Sequence, residues 1–86
     1  MPKVSEFFGI SIYVYYNDHR PPHFHAFYAG AEILIDIDTL AVLRGRLPPR
    51  AMGLVMEWAD QRRDELRRVW QQAQDARPLD RIDPLK

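Results

Sequence analysis

The three histidines of this chain all fall within Asn17-Asp18-His19-Arg20-Pro21-Pro22-His23-Phe24-His25. Imidazole changes charge close to neutral pH, so it serves as proton donor, proton acceptor or metal ligand without special tuning. His23 and His25 stand two residues apart, and on a strand they project from one face. Metal-independent RNA cleavage needs a base, an acid and a cation for the phosphate. His23, His25 and Tyr13 are candidates for moving protons, with Asp36 orienting the His23 ring. Tyr15, His19, Arg44 and Arg46 are candidates for binding. That chemistry uses no metal. A second reading makes His23 and His25, with His19 or Asp36, the ligands of a divalent ion, since zinc accepts nitrogen and oxygen donors. A third is structural, with His19 and His23 bracing the Pro-Pro loop and His25 packing on the tyrosines. The residues alone leave all three open.

These side chains need strands to position them. Residues 10–16, Ile-Ser-Ile-Tyr-Val-Tyr-Tyr, alternate, with Ile10, Ile12, Val14 and Tyr16 on one face and Ser11, Tyr13 and Tyr15 on the other. A second strand is expected over about 23–28 and a third over 32–37, joined by an Ala29-Gly30 turn. Central turn residues at 29 and 30 pair 28 with 31, 26 with 33, 24 with 35 and 23 with 36. Phe24, Ala26, Ile33 and Ile35 then share one face, and His23, His25, Phe27, Glu32, Leu34 and Asp36 the other. A fourth short strand is expected over about 41–46 after the Asp38-Thr39-Leu40 turn, with Ala41 and Leu43 toward the core and Arg44 and Arg46 on the polar face.

Pro48-Pro49 suits the start of a helix. Ala51, Val55, Ala59, Leu66, Val69 or Trp70, and Ala73 recur at helical spacing to about residue 75, and Pro78 ends the run. Trp58 and Trp70 read as core residues. Asp60 and Asp64 lie one turn from Arg63, Arg67 and Arg68, which supports a solvated outer face. The tail, 76–86, is apolar enough either to pack back or to offer a strip to a partner. The expected fold is therefore α+β: one domain, 1–86, with a three- to four-stranded antiparallel sheet, one long C-terminal helix across one face, and an extended tail. One helix covers one face and leaves the tyrosine–histidine face to solvent or a partner.

Composition narrows the classes. Twelve basic and twelve acidic residues cancel, which argues against a protein holding nucleic acid by bulk electrostatics. Hydrophobic residues at 47% are enough for a real core, so global disorder is not expected. The absence of cysteine removes disulfides and thiolate metal sites, so any metal centre would be catalytic or regulatory rather than a closed structural one. No apolar run reaches the roughly 18 residues of a membrane span, and Met1-Pro2-Lys3-Val4-Ser5 does not read as a signal peptide. A cytoplasmic protein is expected. No phosphate loop or Gly-rich nucleotide motif is present, and no cofactor is expected.

The chain resembles the DUF4160 family of small prokaryotic proteins. The resemblance rests on Phe7-Phe8-Gly9-Ile10, on Tyr15-Tyr16-Asn17-Asp18-His19 with Pro21-Pro22-His23-Phe24-His25-Ala26, and on Leu34-Ile35-Asp36-Ile37. It continues through Gly45-Arg46-Leu47-Pro48, Glu57-Trp58-Ala59 and the closing Pro78-Leu79 with Ile82 and Pro84-Leu85. Members have no established biochemistry and no catalytic residues to transfer, and tend to be encoded beside a small protein of the DUF2442 type. The resemblance thus implies a two-gene, toxin–antitoxin-type module with that small protein as partner. A toxin-like component acting on RNA, a non-enzymatic protein-binding module and a metal-binding protein remain the alternatives, and a homodimer is compatible with each.

Overall fold

Alternating apolar residues and tight turns build the sheet in the computed structural model, which describes residues 2–86. The strands are β1 (Lys3–Phe7), β2 (Ile10–Tyr13), β3 (His23–Tyr28), β4 (Ala31–Asp36) and β5 (Val42–Gly45), followed by helices α1 (Pro49–Gln61) and α2 (Arg63–Gln74). The strands form one antiparallel meander in the order β1-β2-β3-β4-β5. The β3–β4 register is the one derived above: His23 lies opposite Asp36, Phe24 opposite Ile35, Ala26 opposite Ile33 and Tyr28 opposite Ala31. Its turn residues, Ala29 and Gly30, both have positive φ, 49° and 83°, the pattern of a type I′ hairpin turn.

Two expectations about the fold are corrected. The sheet has five strands rather than three or four. The missing strand is β1, whose burial does not alternate: Val4 and Ser5 are both covered because the register shifts between Lys3 and Ser5. A bulge of this kind erases the period-two signal. Phe8 and Gly9 form the β1–β2 turn, both at positive φ, and phenylalanine is not a residue that announces such a turn.

The single long helix is in fact two short ones, of 13 and 12 residues, separated at Arg62 (φ −118°, ψ 20°). The inward stripe runs Ala51, Val55, Trp58, Ala59, then Leu66, Val69, Trp70 and Ala73. Arg62 occupies the turn between, three residues after Ala59 and four before Leu66, where the stripe calls for an apolar side chain. Its guanidinium leaves for Glu65, 3.2 Å away. Its backbone N–H bonds back to the Ala59 carbonyl, a tightened i→i−3 turn.

A further correction concerns β5. All four of its residues are exposed, and the register slips between Leu34 opposite Arg44 and Ile35 opposite Val42, so Leu43 does not reach the core. The turn before it is held by Asp36. Gly45 has φ +77°, and an added methyl there would run into the Glu32 carbonyl, so this crossing of strands requires glycine.

The core lies between the helices and one sheet face. Ile10, Ile12, Val14, Phe24, Ala26, Ile33, Ile35 and Ile37 are buried against the helical stripe, with Trp58 fully enclosed between Phe7 and Phe24. Tyr16, expected with the inward set, is exposed, and its hydroxyl donates to the Arg77 carbonyl. The tail packs back: Ile82 and Leu85 are buried, Ile82 N–H donates to the Val4 carbonyl, and the Trp58 indole donates to the Asp83 carbonyl. No helix of the described residues is long and apolar enough to cross a membrane.

Ile35→Ala is expected to cost about 2–5 kcal/mol in chemical denaturation as a large-to-small change in a closed core, and Tyr13→Ala distinctly less. The reverse order would mean the two faces are exchanged. Gly45→Ala is expected to cost about 1–3 kcal/mol through backbone strain and the Glu32 clash, whereas Gly30→Ala, with open space around it, meets only the conformational part.

Candidate functional site

The rim of the sheet where β3 begins gathers the polar groups. The loop from Val14 to Pro22 leaves β2, passes a cis Arg20–Pro21 peptide and returns as β3. It is pinned to the end of α2 by the Gln74 amide, which donates to the Asp18 carbonyl at 3.0 Å. That anchor brings the Asp18 carboxylate over β3. Its Oδ2 lies 3.0 Å from His23 Nε2 and 3.3 Å from His25 Nε2, while Oδ1 accepts from the His19 backbone N–H at 3.0 Å.

The outer nitrogens of the two rings are also engaged. His23 Nδ1 donates to the Pro21 carbonyl at 2.7 Å and His25 Nδ1 to Glu32 Oε2 at 2.9 Å. Packing fixes the rings as well: His23 lies against Trp70 with centroids 5.3 Å apart, and Tyr15 meets His25 edge-on at 4.6 Å. His23 is only 4% exposed, and the His25 and Asp18 side chains 13% and 16%.

Burial pushes the Asp18 carboxyl up, but the hydrogen bond from His25, the charge of His23 and the His19 N–H together outweigh it and leave the group below its ordinary value. The Tyr15 hydroxyl is pushed up, first by burial and then by the charges of Glu32, Tyr13 and Asp18. Tyr15 is thus held in its neutral form, a wall of the site rather than a base.

Several sequence-derived candidates do not join this group. Asp36 stands opposite His23 as the register requires, but its carboxylate turns to its own loop, accepting from the Asp38 and Thr39 backbone N–H groups at 2.8 and 2.9 Å. This short-range bond is the usual behaviour of aspartate at a turn, so the carboxylate facing His23 is Asp18. His19 is 92% exposed; its ring lies 3.2 Å from the other Asp18 oxygen and edge-on to His23 at 6.1 Å. Arg44 shares the cross-sheet row of Tyr13, His25 and Leu34, with Leu34 between it and His25. Arg46 lies elsewhere, beside Ala31, Leu47, Pro48 and Pro49 at the start of α1. Tyr13 and Tyr15 stack at 5.8 Å, Phe27 packs edge-on to Tyr13, and with Ser11 they line an open groove of about 250 Å³ on the uncovered face.

Two contributors went unassigned from sequence. Glu32 was recoverable, since a register placing 27 opposite 32 sets it diagonal to His25 on the same face. Asp18 was not, because long-range contacts of its loop, from Gln74 to the Asp18 carbonyl, from Tyr16 to Arg77 and from Ile37 to Pro22, decide which way the loop folds. Among the described residues, Asp18, His23 and His25 are the group whose donor atoms could hold a metal ion, all lying within 4.8 Å of one another.

The fold and site define a small α+β domain, a one-sided five-stranded meander with an Asp–His–His corner at its rim. The chain belongs to the family described as a domain of unknown function, DUF4160, which matches residues 9–71. No curated protein and no solved structure matches it.

The lowered Asp18 group gives a pH signature. A carboxylate held below its unfolded value, about 3.9, contributes stability that is present above that value and lost as pH falls through the folded one. With chelator present, Asp18→Asn is expected to be less stable than the parent at pH 5, the gap closing as pH falls below about 4. A gap unchanged down to pH 2, read by urea denaturation, would contradict the pairing.

Proposed function

We propose that the protein is one member of a two-gene, toxin–antitoxin-type pair and works by binding a small protein, of the DUF2442 type that the family resemblance associates with it, through the uncovered sheet face. The observation that carries this reading is the half-covered aromatic cluster of Tyr13, Tyr15 and Phe27 on a face that no helix shields. Aromatic side chains offer large contact area at little entropic cost and are enriched at protein interfaces.

Charge favours a protein over RNA as the occupant. Asp18, Glu32 and Asp36 lie on this side; among the strand side chains of this face the cations are Arg44 and Lys3, and Lys3 is tied to Glu6 at 2.7 Å. A polyanion gains little from such a surface. The groups needed for metal-independent RNA cleavage are also dispersed: His23 is enclosed, Asp36 is engaged in its turn and Arg46 lies beside another cleft. These features support binding rather than cleavage.

The test is co-expression with the neighbouring DUF2442-type protein. Co-elution on size exclusion is expected, and Phe27→Ala and Tyr13→Ala are each expected to weaken the complex about tenfold or more. Separate elution of the two proteins, or growth arrest by the chain alone that His25→Ala reverses, would replace this reading with the RNA-directed one.

A further inference from the structure

We infer that Asp18, His23 and His25 form a binding site for one divalent transition-metal ion, with Asp18 Oδ2 and both Nε2 atoms as ligands and an open side toward solvent. The outer nitrogens of the two rings set their tautomers. His23 Nδ1 faces the Pro21 carbonyl and His25 Nδ1 faces the Glu32 carboxylate, and neither oxygen has a proton to give. Both rings therefore carry their proton on Nδ1. In a neutral ring that choice leaves a lone pair on Nε2, and both lone pairs converge on the Asp18 carboxylate. Two lone pairs and an anion facing one another repel unless positive charge sits among them. That charge is either a proton on each ring or one cation shared by all three.

The surroundings fit the cation. Histidines that bind metal donate their second ring N–H to a carbonyl or carboxylate, which fixes tautomer and orientation. Both rings here do so, one to each kind of acceptor. Metal–nitrogen and metal–oxygen bonds near 2.0–2.1 Å set neighbouring ligand atoms of a tetrahedral site about 3.3 Å apart. The Asp18 Oδ2 contacts with the two nitrogens, 3.0 and 3.3 Å, lie close to that spacing, and all three donor atoms are within 4.8 Å of one another. Trp70 and Tyr15 already hold the rings, so little side-chain freedom remains to be lost on binding.

Donor chemistry selects the ion. Two imidazoles and one carboxylate suit zinc, cobalt, nickel or ferrous iron over calcium and magnesium, which take oxygen ligands. Three protein ligands leave a coordination position free, the form of a site that also engages a water or a partner's side chain. His25 and Asp18 retain slight exposure for entry, while His23 closes the inner side. His19, on the other carboxylate oxygen and almost wholly exposed, lies outside the ligand set. The site stands independently of what binds the sheet face.

The experiment titrates the full chain, freed of any histidine tag and of bound metal, with zinc chloride alone in a calorimeter, and with cobalt chloride while the visible spectrum is recorded. One ion per chain is expected, with cobalt giving ligand-field bands in the visible and zinc raising the thermal midpoint. His25→Ala is expected to abolish saturable binding, Glu32→Ala to weaken it roughly 10–100-fold by freeing the His25 ring, and His19→Ala to leave it unchanged. Should Asp18→Ala or His23→Ala fail to fold, the parent cobalt spectrum and the exposed-side variants still decide. Absence of saturable zinc and cobalt binding at micromolar concentrations would overturn the proposal in favour of two protonated rings on one carboxylate. Equal binding by His25→Ala, or loss of binding in His19→Ala, would overturn the ligand set.

Discussion

The sheet has a covering layer on one side only, and most of the molecule's features follow from that. Strand residues alternate, so a single layer of helices buries every second side chain and leaves the others facing out. Each large apolar residue enclosed, Trp58, Phe24 or one of the isoleucines, contributes about 1.5–3 kcal/mol relative to exposure, and the inward set is accordingly almost wholly apolar. The outward set is mixed, with aromatic, imidazole and carboxylate side chains half-covered by one another. The helical layer is built of two segments, and they separate where Arg62 interrupts the inward stripe.

The second segment matters for the polar corner. α2 reaches the rim where β3 begins, so that Trp70 lies against His23 and Gln74 holds the backbone of the loop bearing Asp18. Burying imidazoles and a carboxylate is costly unless each polar atom finds a partner. Here every histidine nitrogen of the pair and Asp18 Oδ2 has one, through Pro21, Glu32 and each other. The cluster is therefore a matched set in which each member is tolerated because the others are present. With both rings neutral, the same network aims two lone pairs at one carboxylate, the arrangement of a chelating pair.

Local and distant hydrogen bonding competed for the two aspartates near His23, and distance along the chain decided the outcome. Asp36 has backbone donors two and three residues ahead, and a turn closed over so few residues loses little entropy. Asp18 accepts only the next residue's N–H from its own loop, and its second oxygen faces the rings. An acidic residue opposite a histidine in register is thus a weaker sign of partnership than one whose own loop leaves it unsatisfied.

What the sequence determined by itself is the part governed by short periods and adjacent residues. The β3–β4 register followed from alternation about Ala29-Gly30, because a one-residue slip would turn every isoleucine outward. The start of α1 followed from the proline pair, and the shared face of His23 and His25 from their spacing. The family, too, was readable from the motifs around the Pro-Pro-His-Phe-His run. Tertiary structure decided the rest. A bulge hid β1, a buried-face arginine split the helix, and β5 slid past the core because nothing beyond the helices was there to cover it. Above all, Asp18 is the carboxylate of the site in a loop held by long-range contacts, among them one with Gln74, 56 residues away. No periodicity encodes such a contact. It exists because the helical layer and the loop meet at the same rim once the sheet has folded.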